Sequence, residues 1–394
     1  MNSDLLIDGR YALSVAISSV WSQVVRQGLP AVQSGCHCCW SRGHCSEFVY
    51  RGRLSGGTPN QIDQGGYYCI FSLVPDNGET LALVVVTSHN RERWLGDALQ
   101  SLVDQHDEGI EVIAIDASES DVCWRIISTF SSKLNIRAER RLELQSQTAK
   151  INFGVEQAQA DRICILHDDD LWLANRSAEL KKWIAVEPDA LMHLHPCYII
   201  DETGKRLGVW RCPLPATQSP VSAKVFMKRL LVQNFIAIPT ATIRRDAYLR
   251  VGGMDNLLWY APDWDLYLKV AGLGNIYYHS MPLACYRIHN HSLTVLASTN
   301  DSDFRRQHEI VLNRHAKKLD LVAQNQILPV ARASINVNIA LAAALRGQYN
   351  CLFKAFVSLL VLGPRGIRQY LVFSRIIDRA FPRLRALIAR RFQI

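Results

Sequence analysis

The stretch Leu81 to Val86 is apolar at every position, and it breaks at Thr87-Ser88-His89-Asn90-Arg91. Beyond the break, Trp94, Ala98, Leu99 and Leu102 recur at the spacing of one helix face. Strand, polar loop, helix is therefore the predicted unit, and it repeats. Glu111 to Ile115 is the next strand, with Asp116 at its end and Val122 to Phe130 as the helix behind it. Ile136 to Arg140 and Thr148 to Ala158 give a third pair. That pair leads into Ile163 to Leu166, a short apolar run of the kind a strand buried on both faces carries. Such alternation predicts a parallel sheet with helices on both faces and a ligand site at the carboxyl ends of its strands. Thr87, Asp116 and Asp168 to Asp170 all fall at such ends.

The pattern changes after Trp172. Ser177 to Val186 reads as a helix, and Ala190 to Ile200 and Arg206 to Trp210 flank the turn Asp201-Glu202-Thr203-Gly204 as an antiparallel hairpin. Val221 to Val232 is helical and Ala241 to Ile243 a short strand. In Gly252-Gly253-Met254-Asp255 the two glycines let the backbone approach a ligand closely. Asp263 and Asp265 open a helix through Val270, and Ile276 to Tyr286 is a late strand ending in Arg287-Ile288-His289. The fold class expected is α/β, a mixed sheet flanked by helices. After Asn300 the pattern is helical, in Phe304 to Leu319, Ile327 to Leu345 and Cys351 to Leu362. Three regions follow: a poorly defined extension over 1–78, the α/β region over 79–300, and a helical C-terminal region over 301–394.

The chemistry concentrates in His-Asp-Asp-Asp, residues 167–170. Three adjacent carboxylates repel one another unless solvent or a cation neutralises them. A hard divalent ion, Mg²⁺ or Mn²⁺, takes oxygen ligands and keeps positions for substrate phosphates, which points to a phosphate ester as substrate. The competing reading is that the aspartates cap the helix that starts near Ala174.

Composition bounds the rest. At 394 residues, 48% hydrophobic and 20% charged, the chain is globular and can bury a large core. There is no unbroken run of 18 apolar residues, so a spanning helix is not expected; Ala355 to Leu362 is short and stopped by Gly363-Pro364. No secretory signal is recognised at the N-terminus. The eleven cysteines have no repeating spacing and several lie in apolar runs, which favours a reducing cytoplasm. Cys36, Cys38, Cys39, His44 and Cys45 lack the paired spacing of common zinc modules, so a loosely ordered extension is expected there. A helix is read at Tyr11 to Val25.

The net charge of +8 comes mostly from the tail, where eight arginines and the single acid Asp378 follow position 364. Leu384, Leu387 and Ile388 stand against Arg383, Arg385, Arg390 and Arg391. An apolar face beside arginines fits an anionic membrane surface, each basic residue adding about 1 kcal/mol. The expectation is a cytoplasmic protein, peripheral on the inner face of the membrane. The rival is a helical hairpin packed on the α/β region with solvated arginines. Nucleic acid is not expected as a partner, because the basic residues are confined to the tail without a recognisable binding module.

With these pieces placed, the chain resembles the inverting family 2 glycosyltransferases of the GT-A fold from about Leu81 to Thr294. The resemblance rests on Val-Val-Val-Thr-Ser-His-Asn-Arg, Ile-Ala-Ile-Asp-Ala-Ser, Ala-Lys-Ile-Asn-Phe-Gly, His-Asp-Asp-Asp-Leu-Trp, Val-Gly-Gly-Met-Asp, Asp-Trp-Asp-Leu and Tyr-Arg-Ile-His, in the family's order and near its spacing. It implies a nucleoside diphosphate sugar donor, with a UDP- or dTDP-sugar expected, a saccharide or lipid-linked glycan acceptor, and a role in cell-surface polysaccharide synthesis. Thr87 and Asn90 would lie beside the nucleotide, Asp116 would accept hydrogen bonds from the base, and Lys150 and Asn152 would sit near the donor. Asp170 is the first choice for the metal, with Asp168 and Asp169 contacting sugar, ribose or metal and His289 able to reach the metal or diphosphate. Asp263 would be the general base and Asp265 the fallback, while Gly252, Gly253 and Asp255 would shape the acceptor side. The sequence departs from the family at His167, where an acid is usual, and at Pro262, which replaces the glutamate of a Glu-Asp pair. Two rivals remain at this point. A sugar nucleotidyltransferase would need a glycine-rich phosphate loop after the first strand, and Thr87 to Arg91 contains no glycine. A catalytically silent nucleotide-binding or membrane scaffold is the other.

Overall fold

The apolar runs pair side by side as strands. The computed structural model describes residues 69–70, 81–86, 91–217, 219–289, 300–345 and 348–392. Thr87, Asn90, the cysteine cluster at 36–45 and the helix read at 11–25 lie outside the described residues. An eight-stranded sheet forms the centre. It contains β1 (Cys69–Ile70), β2 (Leu81–Val86), β3 (Ile110–Asp116), β4 (Asn135–Arg140), β5 (Arg162–His167), β7 (Met192–Leu194), β10 (Ala241–Arg244) and β11 (Ile276–Tyr278), in the order β1-β4-β3-β2-β5-β10-β7-β11. The parallel register sets Val86 of β2 opposite Ile115 on one side and His167 on the other. The chain lays β3 and β4 to one side of β2 and then crosses to place β5 on the other side. The order thus reverses at β2, and the carboxyl ends beside such a reversal are where sheets of this kind bind ligands.

The crossovers are α1 (Leu95–Val103), α2 (Val122–Ser128) and α3 (Gln147–Gln157). Ile113, Ile115, Ile163 and Ile165 enter one core, with Ile151 and Val155 of α3. Val112, Ala114, Cys164 and Leu166 enter another, with Leu95, Leu99 and Leu102 of α1. Period-two alternation along β3 and β5 thus feeds two apolar layers, as strands buried on both faces require.

A second sheet holds β6 (Leu171–Trp172), β8 (Cys197–Ile200), β9 (Arg206–Trp210) and β12 (Ala284–Arg287), in the order β6-β12-β8-β9. The hairpin read around Asp201 to Gly204 is β8–β9, with Gly204 at φ +88°. Two runs read as single strands are each split between the sheets. Ala190 to Ile200 becomes β7 and β8, separated at His195-Pro196, and Ile276 to Tyr286 becomes β11 and β12, separated around Pro282. A proline cannot donate to a ladder, and here each marks where the chain leaves one sheet for the other.

The remaining helices are α4 (Arg176–Val186), α5 (Ala223–Val232), α6 (Arg245–Arg250), α7 (Pro262–Val270), α8 (Asp301–Ala316), α9 (Leu321–Leu345), α10 (Asn350–Val361), α11 (Gly363–Ser374) and α12 (Ile376–Phe392). Phe304, Val311 and Leu312 of α8 and Ile327, Ile335 and Ile339 of α9 belong to the same core as Ile163 and Ile165 of β5. Residues Leu321–Ala344 are long and apolar enough to cross a membrane by length and composition, yet 72% of their most apolar window is buried. The break at Gly363 (φ +63°) and Pro364 bends α10 against α11 by 114°.

One of the arginines expected to face a membrane, Arg383, points inward instead. Arg379 and Arg383 are fully buried rather than facing lipid or solvent. Arg383 stacks toward the Trp210 ring at 5.9 Å, and Arg385 donates to the Leu207 carbonyl at 3.2 Å. Burial pulls the Arg383 guanidinium down to about 9. This part of α12 therefore packs on β9, with Arg379 and Arg383 inside and Arg385 at the exposed margin.

Candidate active site

The acidic residues sit where β3 and β5 run out. Asp116 ends β3 fully buried, and its Oδ1 accepts the Ser118 backbone N–H at 2.9 Å. Lys150, at the end of the first turn of α3, is also buried. Burial pulls its ammonium down to about 8, while the charges of Asp168 and Asp116 pull it the other way. Asp116, Lys150 and Asp168 are therefore electrostatic neighbours, brought together from three elements.

The next two aspartates turn elsewhere. Helix α4 starts at Arg176 with Asn175 in the N-cap, so the triplet does not cap it. The loop is fastened instead by β6, which pairs with β12 and so delivers Arg287 and His289 to the carboxylates. The Arg287 backbone N–H donates to Asp170 Oδ1 at 2.9 Å, and its Nε donates to the Asp169 carbonyl at 2.8 Å. Asp169 Oδ2 meets Arg91 Nη1 at 3.2 Å and His289 Nε2 at 3.0 Å. Burial would raise the Asp169 carboxyl, but His289 and Arg91 overcome that and hold it at about 2. Asp170 goes the other way: burial and then the Asp169 charge push it well above the usual carboxylate range.

His167, Asp169 and Asp170 each offer one ligand atom within 4.8 Å of the others. His167 Nε2 and Asp170 Oδ2 are buried and, among the described residues, have no hydrogen-bond partner. Burial takes the His167 imidazole down to about 4, so it is a neutral lone-pair donor near pH 7. Two orphaned atoms beside an ionised carboxylate fit a divalent cation. The group differs from the Asp170, Asp168, His289 set expected from the resemblance: His167 and Asp169 join Asp170, the charge of Asp168 acts on Lys150, and His289 bonds to Asp169.

Asp263 and Asp265 share the first turn of α7 and have opposite surroundings. Asp263 Oδ2 accepts from Asn234 Nδ2 at 2.8 Å, and burial raises its carboxyl to about 6 against the pull of the Trp264 N–H and Asn234. Asp265 is fully buried, with Oδ1 bonded to Arg314 at 2.9 Å and to His315 at 2.7 Å, and Lys269 2.8 Å from Oδ2. Although burial alone would raise it, these partners hold it at about 2. A carboxylate so engaged ties α7 to α8 and is unsuited to taking a proton, so the fallback base is set aside. Asp255 belongs to the same ion cluster, through Arg314 at 2.9 Å.

Asn152 also has a different role from the one expected. Its Oδ1 accepts from the Tyr248 hydroxyl at 2.6 Å and the Met254 N–H at 2.9 Å, and its Nδ2 donates to the Met254 carbonyl at 2.8 Å. It pins the glycine turn to α3. Gly253, at φ +62°, has room only for hydrogen: a Cβ would lie 2.6 Å from Asn152 Oδ1.

Residues 83–252 match the family model described as glycosyl transferase family 2. Over that stretch the chain is a family 2 glycosyltransferase. The glycosyltransferase is 23% identical over 249 residues to a curated relative from Haemophilus influenzae named "Uncharacterized glycosyltransferase", across 61% of this chain and 81% of the relative. Its fold is similar to that of TarS 1-349 from S. aureus, solved in complex with UDP-GlcNAc. The TM-score is 0.53 at 16% identity, covering 80% of this chain and 92% of that one.

Four residues of the glycosyltransferase site escaped the sequence reading as site residues: His167, Arg91, Asn234 and Arg287. His167 carried a visible signal, an imidazole joined to an acid triplet at a strand end. Arg287 stood in a recognised motif. Arg91 and Asn234 reach their partners across 78 and 29 residues, and only the fold brings them there.

Proposed function

We propose that this glycosyltransferase moves a sugar, with inversion, from a UDP- or dTDP-sugar to a saccharide or lipid-linked glycan acceptor in cell-surface polysaccharide synthesis. The observation that carries the reading is the group His167, Asp169 and Asp170, with two orphaned buried ligand atoms at the switch point of the sheet beside Asp116. Asp116 suits the imide N–H of uracil or thymine, an acceptor to a donor. The TarS complex with UDP-GlcNAc supports a donor of this class. Mn²⁺ or Mg²⁺ held by His167, Asp169 and Asp170 would stabilise the negative charge that develops on the diphosphate. Arg91 would add a further positive charge beside it. Inversion requires a base on the face of the anomeric carbon opposite the diphosphate, and Asp263 has the burial and the raised proton affinity for that role. It would take the acceptor hydroxyl's proton as the oxygen attacks. Gly252, beside which nothing lies within 4 Å, would keep the acceptor side open to close backbone approach, while Gly253 lets the turn close on Asn152.

A thermal-shift screen of UDP-, dTDP- and GDP-sugars, with and without Mn²⁺, tests the donor. Stabilisation by UDP- or dTDP-sugars that depends on the metal is expected. A response to GDP-sugars alone would overturn the assignment of uracil or thymine as the base.

Membrane contact is supported by a surface other than the tail arginines. Phe353, Phe356, Val357, Leu360 and Val361 form one stripe of α10, from 38% (Val357) to 80% (Val361) exposed. Leu371 and Val372 of α11 are also exposed, as are the cations Lys354, Arg365 and Arg368 of the same two helices. Apolar side chains turned outward on helices that also expose cations match an anionic bilayer surface, which would hold the enzyme peripherally on the inner face. Flotation with vesicles containing phosphatidylglycerol should carry the protein, and the triple variant Phe353→Ser, Phe356→Ser, Leu360→Ser should stay in the soluble fraction. Equal flotation of the two proteins would refute this surface.

A further inference from the structure

At the opposite edge of the central sheet from β1, three side chains outside the aspartate cluster converge. Glu187 is the C-cap of α4, His193 is the middle residue of β7, and His279 follows β11. In the parallel register Tyr277 sits opposite His193, so His279, two residues on, projects from the same face as His193. The Trp183 ring of α4 stacks on His279 at 3.7 Å and 5°, which fixes the imidazole plane.

Glu187 Oε2 lies 3.3 Å from His193 Nδ1 and 3.3 Å from His279 Nε2, and the two nitrogens are 3.2 Å apart. A nearly equilateral triangle of this size is one face of a tetrahedron around an ion with bonds of about 2.0 Å, whose edges are about 3.3 Å. We propose that Glu187, His193 and His279 bind a Zn²⁺ ion, with the fourth position left to water. A hydrogen bond between the two imidazoles uses one proton and leaves Glu187 Oε2, on a residue only 8% exposed, with no hydrogen-bond partner among the described residues. A cation satisfies all three atoms together. Two imidazoles and a carboxylate suit zinc, whereas the acid-rich group at the β5 end suits a harder ion.

The charge states agree with this assignment. Burial and the neighbouring Asp189 raise Glu187 only to about 6, so it is ionised at pH 7. Burial takes His193 down to about 3 and His279 to about 4, so both present lone pairs. The side chains of Glu187 and His279 are 10% and 15% exposed, which leaves an ion a path in from solvent. The ion would join the end of α4 to β7 and to the start of the segment that carries Arg287 and His289.

The full-length protein with Asp170→Asn serves as the test background, since that change weakens the other cation site. After chelator treatment, Zn²⁺ is titrated in competition with a chromophoric chelator and the stoichiometry is read by elemental analysis. One equivalent is expected, together with a rise in Tm. Glu187→Gln and His279→Gln, added singly, should each raise Kd at least tenfold with an unchanged far-UV spectrum. These two residues are chosen because they reach the surface, while the fully buried His193 risks misfolding. Absence of micromolar binding in the background protein, or wild-type affinity in either added variant, overturns the proposal.

Discussion

Asp263→Asn should lower kcat by about 10²- to 10⁴-fold, the range a positioned general base supplies, while donor affinity stays within a few-fold. The amide has the same shape, and its oxygen can still accept from Asn234, so the loss belongs to proton transfer. Asp263 is raised to about 6 chiefly by burial, so wild-type activity should fall as pH drops through about 6, where the base becomes protonated. Asn234→Ala removes a hydrogen bond that favours the ionised form, and should move that limb to higher pH. The stability consequence has the opposite sign. A carboxyl whose folded proton affinity is raised stabilises the fold at low pH and ceases to do so as pH rises through about 6. Asp263→Asn should therefore melt no lower than wild type at pH 8. Transfer within tenfold of wild type would assign the base elsewhere.

Asp170→Asn should abolish metal-dependent transfer, a loss on the order of 10³-fold for a term worth several kcal/mol. Asp170 is pushed well above the carboxylate range by burial and by Asp169, so without a cation the pair is under electrostatic stress. In chelator, Asp170→Asn should accordingly be at least as stable as wild type, and Mn²⁺ should raise the wild-type Tm far more than that of the variant. The imidazole of His167 makes the donor set softer than three carboxylates, so Mn²⁺ should support more activity than Mg²⁺, and His167→Asp should narrow the gap. Undiminished transfer by wild type in excess chelator would show that the three residues hold no catalytic ion.

The split roles of Asp263 and Asp265 show how far residue type alone reaches. Two positions apart on one helix turn, they are equivalent as letters. One has an amide partner and sits near pKa 6, and the other is clamped by Lys269, Arg314 and His315 at about 2. Arg314 and His315 lie about fifty residues downstream on α8, and no local pattern announces that contact. Asn152 is similar. On α3 it resembles an exposed helix residue, and only the approach of the Gly252-Gly253-Met254 turn makes it a structural clamp.

What the order of residues determined by itself was the alternation of apolar runs with helical faces, and hence the parallel core and the strand ends where Asp116 and the aspartates stand. Those features follow from periodicity along the chain. Tertiary structure alone decided which atoms share a site: His167 with Asp169 and Asp170, Asn234 with Asp263, Glu187 with His193 and His279, and the tail arginines with β9. Each pairing joins segments whose separation is set by strand register and sheet order. A carboxylate, an imidazole or a guanidinium takes its charge state and its task from those neighbours.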